Sequence, residues 1–340
     1  MPPALPQGPT SRRYAVRRLV DAPIIHPGLD PSLGHNIQGP SLIRAPDWLP
    51  GRLGRYYLYF ADHKGAYIRL ACADRLEGPW RVHAPGALQL GQSGFPTAPL
   101  APPPDWRQPA ASPQRSAAGL APPGTPGVPT RLQDATLPHI ASPDAHVDEA
   151  SRRIVLYYHG LAAFGVQRTR VAVSADGIEF SVVGGELGPA YFRVFRHGGW
   201  TYALTMPGLF LRSKDGLAGF EPGPRLFEPL QRHSAVLVRG DTLHVLWTRV
   251  TDAPERIYAS TVGLAGDWMG WTASEPVEVM RPERPWEGAS EPLAPSWRSA
   301  ISVPVNQLRD PAILEEEGRI FLTYAVKGEG GIGIAELTLG

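Results

Sequence analysis

One plan is written five times along this chain, and that repetition constrains the fold more than any other feature. Each unit opens with a short strand-like run beside a Pro- or Asp-containing turn: "GPSLIRA" (39–45), "PDAHVD" (143–148), "GPAYFRVF" (188–195), "HSAVLVR" (233–239) and "RDPAILEE" (309–316). A turn and an aromatic-rich run follow, as in "GRYYLYFADH" (54–63), "SRRIVLYYHG" (151–160) and "GRIFLTYAVK" (318–327). A third run comes next, and several third runs lead through a small-residue turn to an aromatic, where a fourth strand would start. Short apolar and aromatic runs bounded by Gly and Pro read as strands, because such side chains suit a pleated, half-buried surface. With 38 prolines and 37 glycines in 340 residues, convincing amphipathic helices are scarce.

Antiparallel four-stranded units repeated along a chain are the mark of propeller blades. Five units predict an all-β fold, a five-bladed β-propeller. The last unit stops at Gly340 after its third strand, while "RRYAVRRLV" (12–20) is strand-like and otherwise unpaired. An N-terminal strand is therefore expected to complete the fifth blade and close the ring. A β-sandwich of similar strand count is the competing architecture, but the order of turn signals repeats as well as the strands. The expected organisation is a single propeller domain over 1–340, with a Pro/Ala-rich insertion at about 96–133. That insertion lacks the apolar periodicity to pack a core, so it is expected to be irregular or mobile, as a lid or as a tolerated surface loop.

Composition removes several function classes. A formal net charge of +1 leaves no basic surplus for a phosphate backbone, so nucleic acid is not an expected partner. The single cysteine, Cys72, excludes an intramolecular disulfide and a thiolate zinc cluster, and its strand context reads as a small buried hydrophobe. The opening "MPPALPQGPTSRR" has no apolar signal-peptide core, and no run approaches the ~20 apolar residues of a membrane helix. The expectation is a cytoplasmic protein without membrane contact.

In a propeller the first strand of each blade lines the axis, so the starts of these strands converge on one mouth. That places His35, Asn36 and Gln38 with Asp144 and His146, Tyr191 and Arg193, His233, and Arg309 and Asp310. His63 and His159 end second strands at equivalent places and are expected near the same funnel. Turn chemistry accounts for Asp and Asn at such positions but not for His, Arg and Tyr as well. Converging polar groups in a funnel mark a binding site.

The run "SPDAHVDEASRRIVLYYHG" resembles the second-blade motif of five-bladed glycosidases, the furanosidase group that includes glycoside hydrolase family 43. "RDPAILEEEGRIFLTYA" resembles the Asp-Pro motif that opens blades in the same group. The resemblance implies hydrolysis of a glycosidic bond by paired carboxylates, one protonating the leaving oxygen while the other activates water or attacks. It assigns Asp144 to tuning the acid and holding the sugar. The family's base, an Asp before Pro in blade one, is replaced by Gly39-Pro40. Its acid, a Glu in Glu-Gly-Pro before blade three, aligns with Leu187, and Glu186 is one residue off.

The expected catalytic set is therefore Asp144 and Asp310 facing each other across a carbohydrate, with His146 or His233 as acid. A histidine held protonated by a neighbouring carboxylate can donate at neutral pH. His35, Asn36, Gln38, His63, His159, Tyr191, Arg193 and Arg309 are expected to bind substrate. The alternatives are a polysaccharide lyase using Tyr191, His146 or His233 as base with Arg193 and Arg309 on a uronate, and a non-catalytic carbohydrate-binding propeller. No metal site or cofactor is expected, although the recurring histidines leave room for a channel cation. "GEGGIGIAE" (328–336) reads as a glycine-rich turn and strand rather than a phosphate loop.

Overall fold

The computed structural model describes residues 14–340 and contains five four-stranded antiparallel sheets. Residues 1–13, including the opening stretch read above for a leader, lie outside the described residues. The chain begins with β1 (Tyr14–Arg18). Blade one is β2 (Gln38–Arg44), β3 (Tyr56–Ala61), β4 (Tyr67–Ala73) and β5 (Arg81–Gln89). Blade two is β6 (Ile140–Asp148), β7 (Arg153–Ala163), β8 (Val166–Ser174) and β9 (Ser181–Pro189). Blade three is β10 (Arg193–His197), β11 (Trp200–Thr205), β12 (Leu209–Ser213) and β13 (Glu221–Arg225). Blade four is β14 (Gln231–Arg239), β15 (Thr242–Arg249), β16 (Ile257–Gly263) and β17 (Val277–Met280). Blade five is β18 (Arg309–Glu316), β19 (Arg319–Val326) and β20 (Gly331–Leu339), with β1 on its outer edge. The expected closure is realised: Tyr14 pairs with Leu339 and Arg18 with Ala335, so the two ends of the chain share a sheet.

The first strands surround the axis in chain order. β2 lies beside β6, β10 beside β14, β14 beside β18, and β18 returns to β2. Arg193 and Val194 of β10 reach Pro143 and Asp144 of β6, which completes the circle. The core is not central. Each pair of neighbouring blades shares one apolar cluster, such as Tyr59, Leu70, Leu156 and Phe180 between blades one and two. Burying each large side chain there contributes about 1.5–3 kcal/mol. Two tyrosines also clamp adjacent blades: Tyr59 OH donates to the Gly177 carbonyl at 2.7 Å and Tyr157 OH to the Gly216 carbonyl at 2.8 Å. Both glycines sit at positive φ in Asp-Gly turns, where a side chain would be strained. Cys72 packs in the first cluster, as its strand context implied, and burial pushes its thiol up to about 12.

One expectation changes and another gains detail. Gly188-Pro189 does not open blade three; it ends β9, the outer strand of blade two, and β10 starts only at Arg193. The insertion is mostly irregular, as expected, but not wholly so. It forms two short helices, α1 (Pro113–Ala117) and α2 (Arg131–Thr136), and fastens to the propeller by backbone bonds. Arg298 N–H donates to Gly119 at 2.7 Å, Ser302 N–H to Gly127 at 2.9 Å, and Gly165 N–H to Ala135 at 2.9 Å. These bonds replace the apolar periodicity that the segment lacks.

Candidate active site

The starts of the inner strands share a local device. In blades one, two, four and five the ladder between first and second strand slips: Gln38 pairs with Ala61 but Ser41 with Tyr59, and the same two-residue interruption follows Ala141, Gln231 and Arg309. In blades one, two and five a residue in the left-handed region sits in the interruption, Gly39 (φ 63°), Ser142 (49°) and Asp310 (48°), and Tyr191 (76°) precedes β10; blade four has none. Holding a non-glycine residue there costs on the order of 1–3 kcal/mol, and such strain concentrates at functional sites. The register also explains the missing blade-one base. Gly39 and Asp310 hold equivalent positions before proline, and a Cβ on Gly39 would lie 3.0 Å from Ser142 Cα. A side chain there would be strained at positive φ and crowd the Ser142 backbone, and the Asp-Pro pair stands one blade away.

Around this layer lies a funnel cavity of ≈330 Å³, walled by His63, Ser142, His159, Tyr191, Arg232 and His233. Tyr191 OH donates to Asp310 Oδ1, and its ring stacks on His233 with centroids 5.0 Å apart. Asp310 N–H donates to His233 Nδ1 at 3.2 Å, so the neutral imidazole carries its proton on Nε2. Asp310 itself is 1% exposed, and its Oδ2 is buried with no partner. Burial and the nearby Glu329 charge push its carboxyl up to about 6, against the Tyr191 bond that favours the ionised form. It can therefore hold a proton near neutral pH.

The histidines behave differently from expectation. Burial, reinforced by Arg232 and Arg309, holds the His233 imidazolium well below its usual range, and burial with His139 does the same to His159. His233 is thus a neutral donor or acceptor, not a protonated acid, because burial first and then the guanidinium charges around it disfavour the imidazolium. A layer of ion pairs supports the wall. Glu329 accepts from Arg309 Nη1 at 2.8 Å and Asn36 Nδ2 at 2.7 Å, and meets His63 Nδ1 at 3.1 Å. Burial works to raise the Glu329 carboxyl, but His63, Arg309 and Arg232 outweigh it and hold it far below the carboxylate range. Glu255 pairs with Arg232 at 3.3 Å and Arg309 at 3.4 Å.

Asp144 and His146 lie elsewhere. They line a larger cavity of ≈610 Å³ further along the axis, with Arg193, Trp48 and aliphatic residues of all five inner strands. Asp144 Oδ2 accepts from His146 Nε2 and from Val194 N–H, both at 2.8 Å. Burial works to raise the Asp144 carboxyl, but His146, Arg193 and the Val194 N–H outweigh it and lower it. Arg193 separates the two ends of the channel: it donates to the Ser234 and Pro143 carbonyls at 2.8 Å and lies over the Tyr191 ring. Asp144 and Asp310 therefore do not face one another across one cavity. Strict alternation would put the residues before and after the proline on one face; the bulge between Ala141 and Asp144 breaks that, so Ser142 meets the funnel and Asp144 the deeper cavity.

The structure brings together His63, His159, Tyr191, His233 and Asp310, with Asn36 and Arg309 in support. Gln38 is buried at the start of β2 with Nε2 unpartnered. His35 is exposed in a separate recess beside Lys327. Glu186 lies exposed on the outer strand β9, paired with Arg168, and Leu187 is buried between blades. Among the described residues, no group of three or more His, Cys, Asp and Glu side chains is arranged to hold a metal ion. Sequence reasoning missed Glu329, Glu255, Arg232, Lys64, Asp134, Arg131 and Arg298. Glu329 was hidden in the glycine-rich run at 328–336, although like His63 it follows a second strand; His159, expected at an equivalent strand end, lies inside β7 instead.

Fold and site define the class: a five-bladed β-propeller with a polar funnel where the inner strands begin. No protein-family model matches the chain. Similar solved structures are glycoside hydrolases of the same architecture. A putative glycoside hydrolase from Parabacteroides distasonis superposes with a TM-score of 0.56 at 11% identity, covering 97% of this chain and 95% of that one. The family 43 β-xylosidase/α-arabinofuranosidase CoXyl43 from a compost microbial metagenome, solved with xylotriose, gives 0.52 at 12% identity over 95% and 94%. The shared feature is the propeller, at a distant structural relationship. At the level of sequence, the chain is 34% identical over 331 residues to the uncharacterized protein R118 of Acanthamoeba polyphaga mimivirus, spanning 89% of this chain and 83% of that protein. The chain belongs to the family of that viral protein.

Proposed function

We propose that the protein is a carbohydrate-active enzyme, a glycoside hydrolase whose reacting centre is the funnel rather than the Asp144 cavity. The observation that carries this reading is the Tyr191–Asp310 pair: a strained Asp-Pro strand start whose buried carboxyl holds a proton up to about pH 6 and reaches the cavity through a lining phenol. Hydrolysis breaks the C–O bond at the anomeric carbon, protonates the leaving oxygen and adds water. When Asp310 is protonated the bond between the pair reverses: the carboxyl gives its proton to the Tyr191 oxygen as the phenol passes its own to the leaving oxygen, which leaves Asp310 ionised and Tyr191 neutral. Asp134 is the carboxylate on the cavity wall, paired with Lys64 at 3.1 Å, and it activates the water. His233 Nε2–H and His159 hold sugar hydroxyls.

The test is release of reducing sugar from a panel of aryl glycosides and oligosaccharides. Hydrolysis that falls at least 100-fold in Asp310→Asn supports the reading, within the 10²–10⁴ range of acid–base groups. Full activity in that variant overturns it. An unsaturated product absorbing in the near ultraviolet would instead indicate a lyase, a reaction the Tyr- and His-lined funnel also suits.

A further inference from the structure

The outer wall of the funnel carries three arginines, Arg115, Arg131 and Arg298, that form no ion pair with a carboxylate among the described residues. Beneath the insertion a smaller cavity of ≈100 Å³ adjoins the funnel, and the two share Leu120, Arg131, Asp134, Arg298 and Ser299; the smaller one adds Arg115. The guanidinium groups of Arg115 in α1 and Arg131 in α2 have no hydrogen-bond or ion-pair partner among the described residues. Arg298, from the β17–β18 connection, gives an N–H to the Pro229 carbonyl and meets no carboxylate. Asp134, the only acid lining this recess among the described residues, is already held by Lys64 at 3.1 Å and Ser299 Oγ at 2.7 Å. Deeper in, Glu255 and Glu329 are occupied by Arg232 and Arg309.

Solvated surface charge describes Arg131, which is exposed, but Arg115 and Arg298 are half-buried and line the same recess. Burial and the charge of Arg232 push Arg298 down to about 10, outweighing the opposing charge of Glu255, which is itself paired with Arg232 and Arg309. Guanidinium groups that line one recess with no carboxylate paired to them match the planar, bidentate geometry of an oxyanion.

We infer that the recess binds the anionic group of an acidic carbohydrate, whose ring occupies the funnel while its carboxylate or phosphate sits among Arg115, Arg131 and Arg298. This rests on the reading of the funnel as a sugar site. The insertion is then the element that selects charged over neutral substrates, and these arginines are specificity residues rather than catalytic ones.

Calorimetric titration of the full chain tests it with digalacturonate, the matched neutral digalactoside, glucose 6-phosphate and inorganic phosphate. Digalacturonate or glucose 6-phosphate should bind at least 10-fold tighter than the neutral sugar, and which of the two does so tells carboxylate from phosphate. The advantage should shrink to under 3-fold in R115Q/R131Q and in high salt, with neutral-sugar affinity unchanged. Arg131→Gln alone, at an exposed position, serves if the double variant melts early. Equal binding of acidic and neutral sugars sinks the inference while leaving the funnel a sugar site. An advantage untouched by the substitutions, or inorganic phosphate binding as tightly as any sugar, also overturns it. Acid-sugar binding without turnover would sustain it while the hydrolase reading failed.

Discussion

At one end of the axial channel Ser142, Tyr191, Arg232 and His233 face a cavity of ≈330 Å³; one layer along the same strands, Asp144, Arg193 and Ala235 face one of ≈610 Å³. Each end holds an aspartate beside a histidine, yet the two pairs are tuned in opposite directions. Asp310 keeps one oxygen unpartnered and is raised to about 6. Asp144 has its charge met by His146, Arg193 and a backbone N–H, and is lowered. Desolvation acts on both; what differs is how completely each charge is compensated. A satisfied pair is a structural tie, and an unsatisfied one is available for chemistry.

The largest effect that sharpens this contrast is on turnover. Asp310→Asn should lower kcat/KM by about 10²–10⁴, and Asp144→Asn by less than 5-fold, measured on one substrate. The reverse order would exchange the roles of the two ends.

Stability should part them next. Asp144→Ala leaves Arg193 without its carboxylate and the Val194 N–H unpaired, an expected loss of about 3–5 kcal/mol in denaturant unfolding, with activity per folded molecule retained. Asp310→Asn should do the opposite above pH 6. Its folded pKa is raised from 3.8 to about 6, so the wild-type carboxyl is most favourable to folding below the unfolded value and loses that contribution as pH rises through the folded one. Removing the charge should then add about 2–3 kcal/mol at pH 7.5.

The buried histidines set a second pH window. His159 and His233 are held well below 6.5, and His139 is pushed down to about 3 by burial and then Lys64. Depressed groups stabilise above the unfolded pKa, so stability should fall as pH drops below 6.5, and ordinary solvated histidines would not produce that slope. His233→Gln and His159→Gln should flatten it. The smallest effect is expected at His146, which is partly exposed at the far cavity: His146→Ala should cost under about 1 kcal/mol in the same unfolding assay.

Much of this architecture was legible in the chain. The five-fold order of strand and turn signals predicts the blades, and the unpaired run at 12–20 predicts the closure that β1 makes on β20. Tyr191, His233, His63, His159 and Asp310 belong to one funnel, as their equivalent places in the repeats imply. What the pattern does not encode is the two-residue bulge at the strand starts. It decides which of Ser142 and Asp144 meets the funnel, and a strand that alternates strictly carries no mark of it. Nor does composition reveal that the Pro/Ala-rich segment fastens to the propeller through backbone bonds, because those bonds do not depend on side-chain type.

The most direct test is to see where a sugar sits. A crystal of the full chain soaked with an oligosaccharide that it hydrolyses, using the Asp310→Asn variant to slow turnover, should show a ring in the funnel. A glycosidic oxygen should lie within hydrogen-bond reach of Tyr191, and a ring hydroxyl on His233 Nε2. Sugar bound instead against Asp144 and His146, with the funnel unoccupied, would contradict the account.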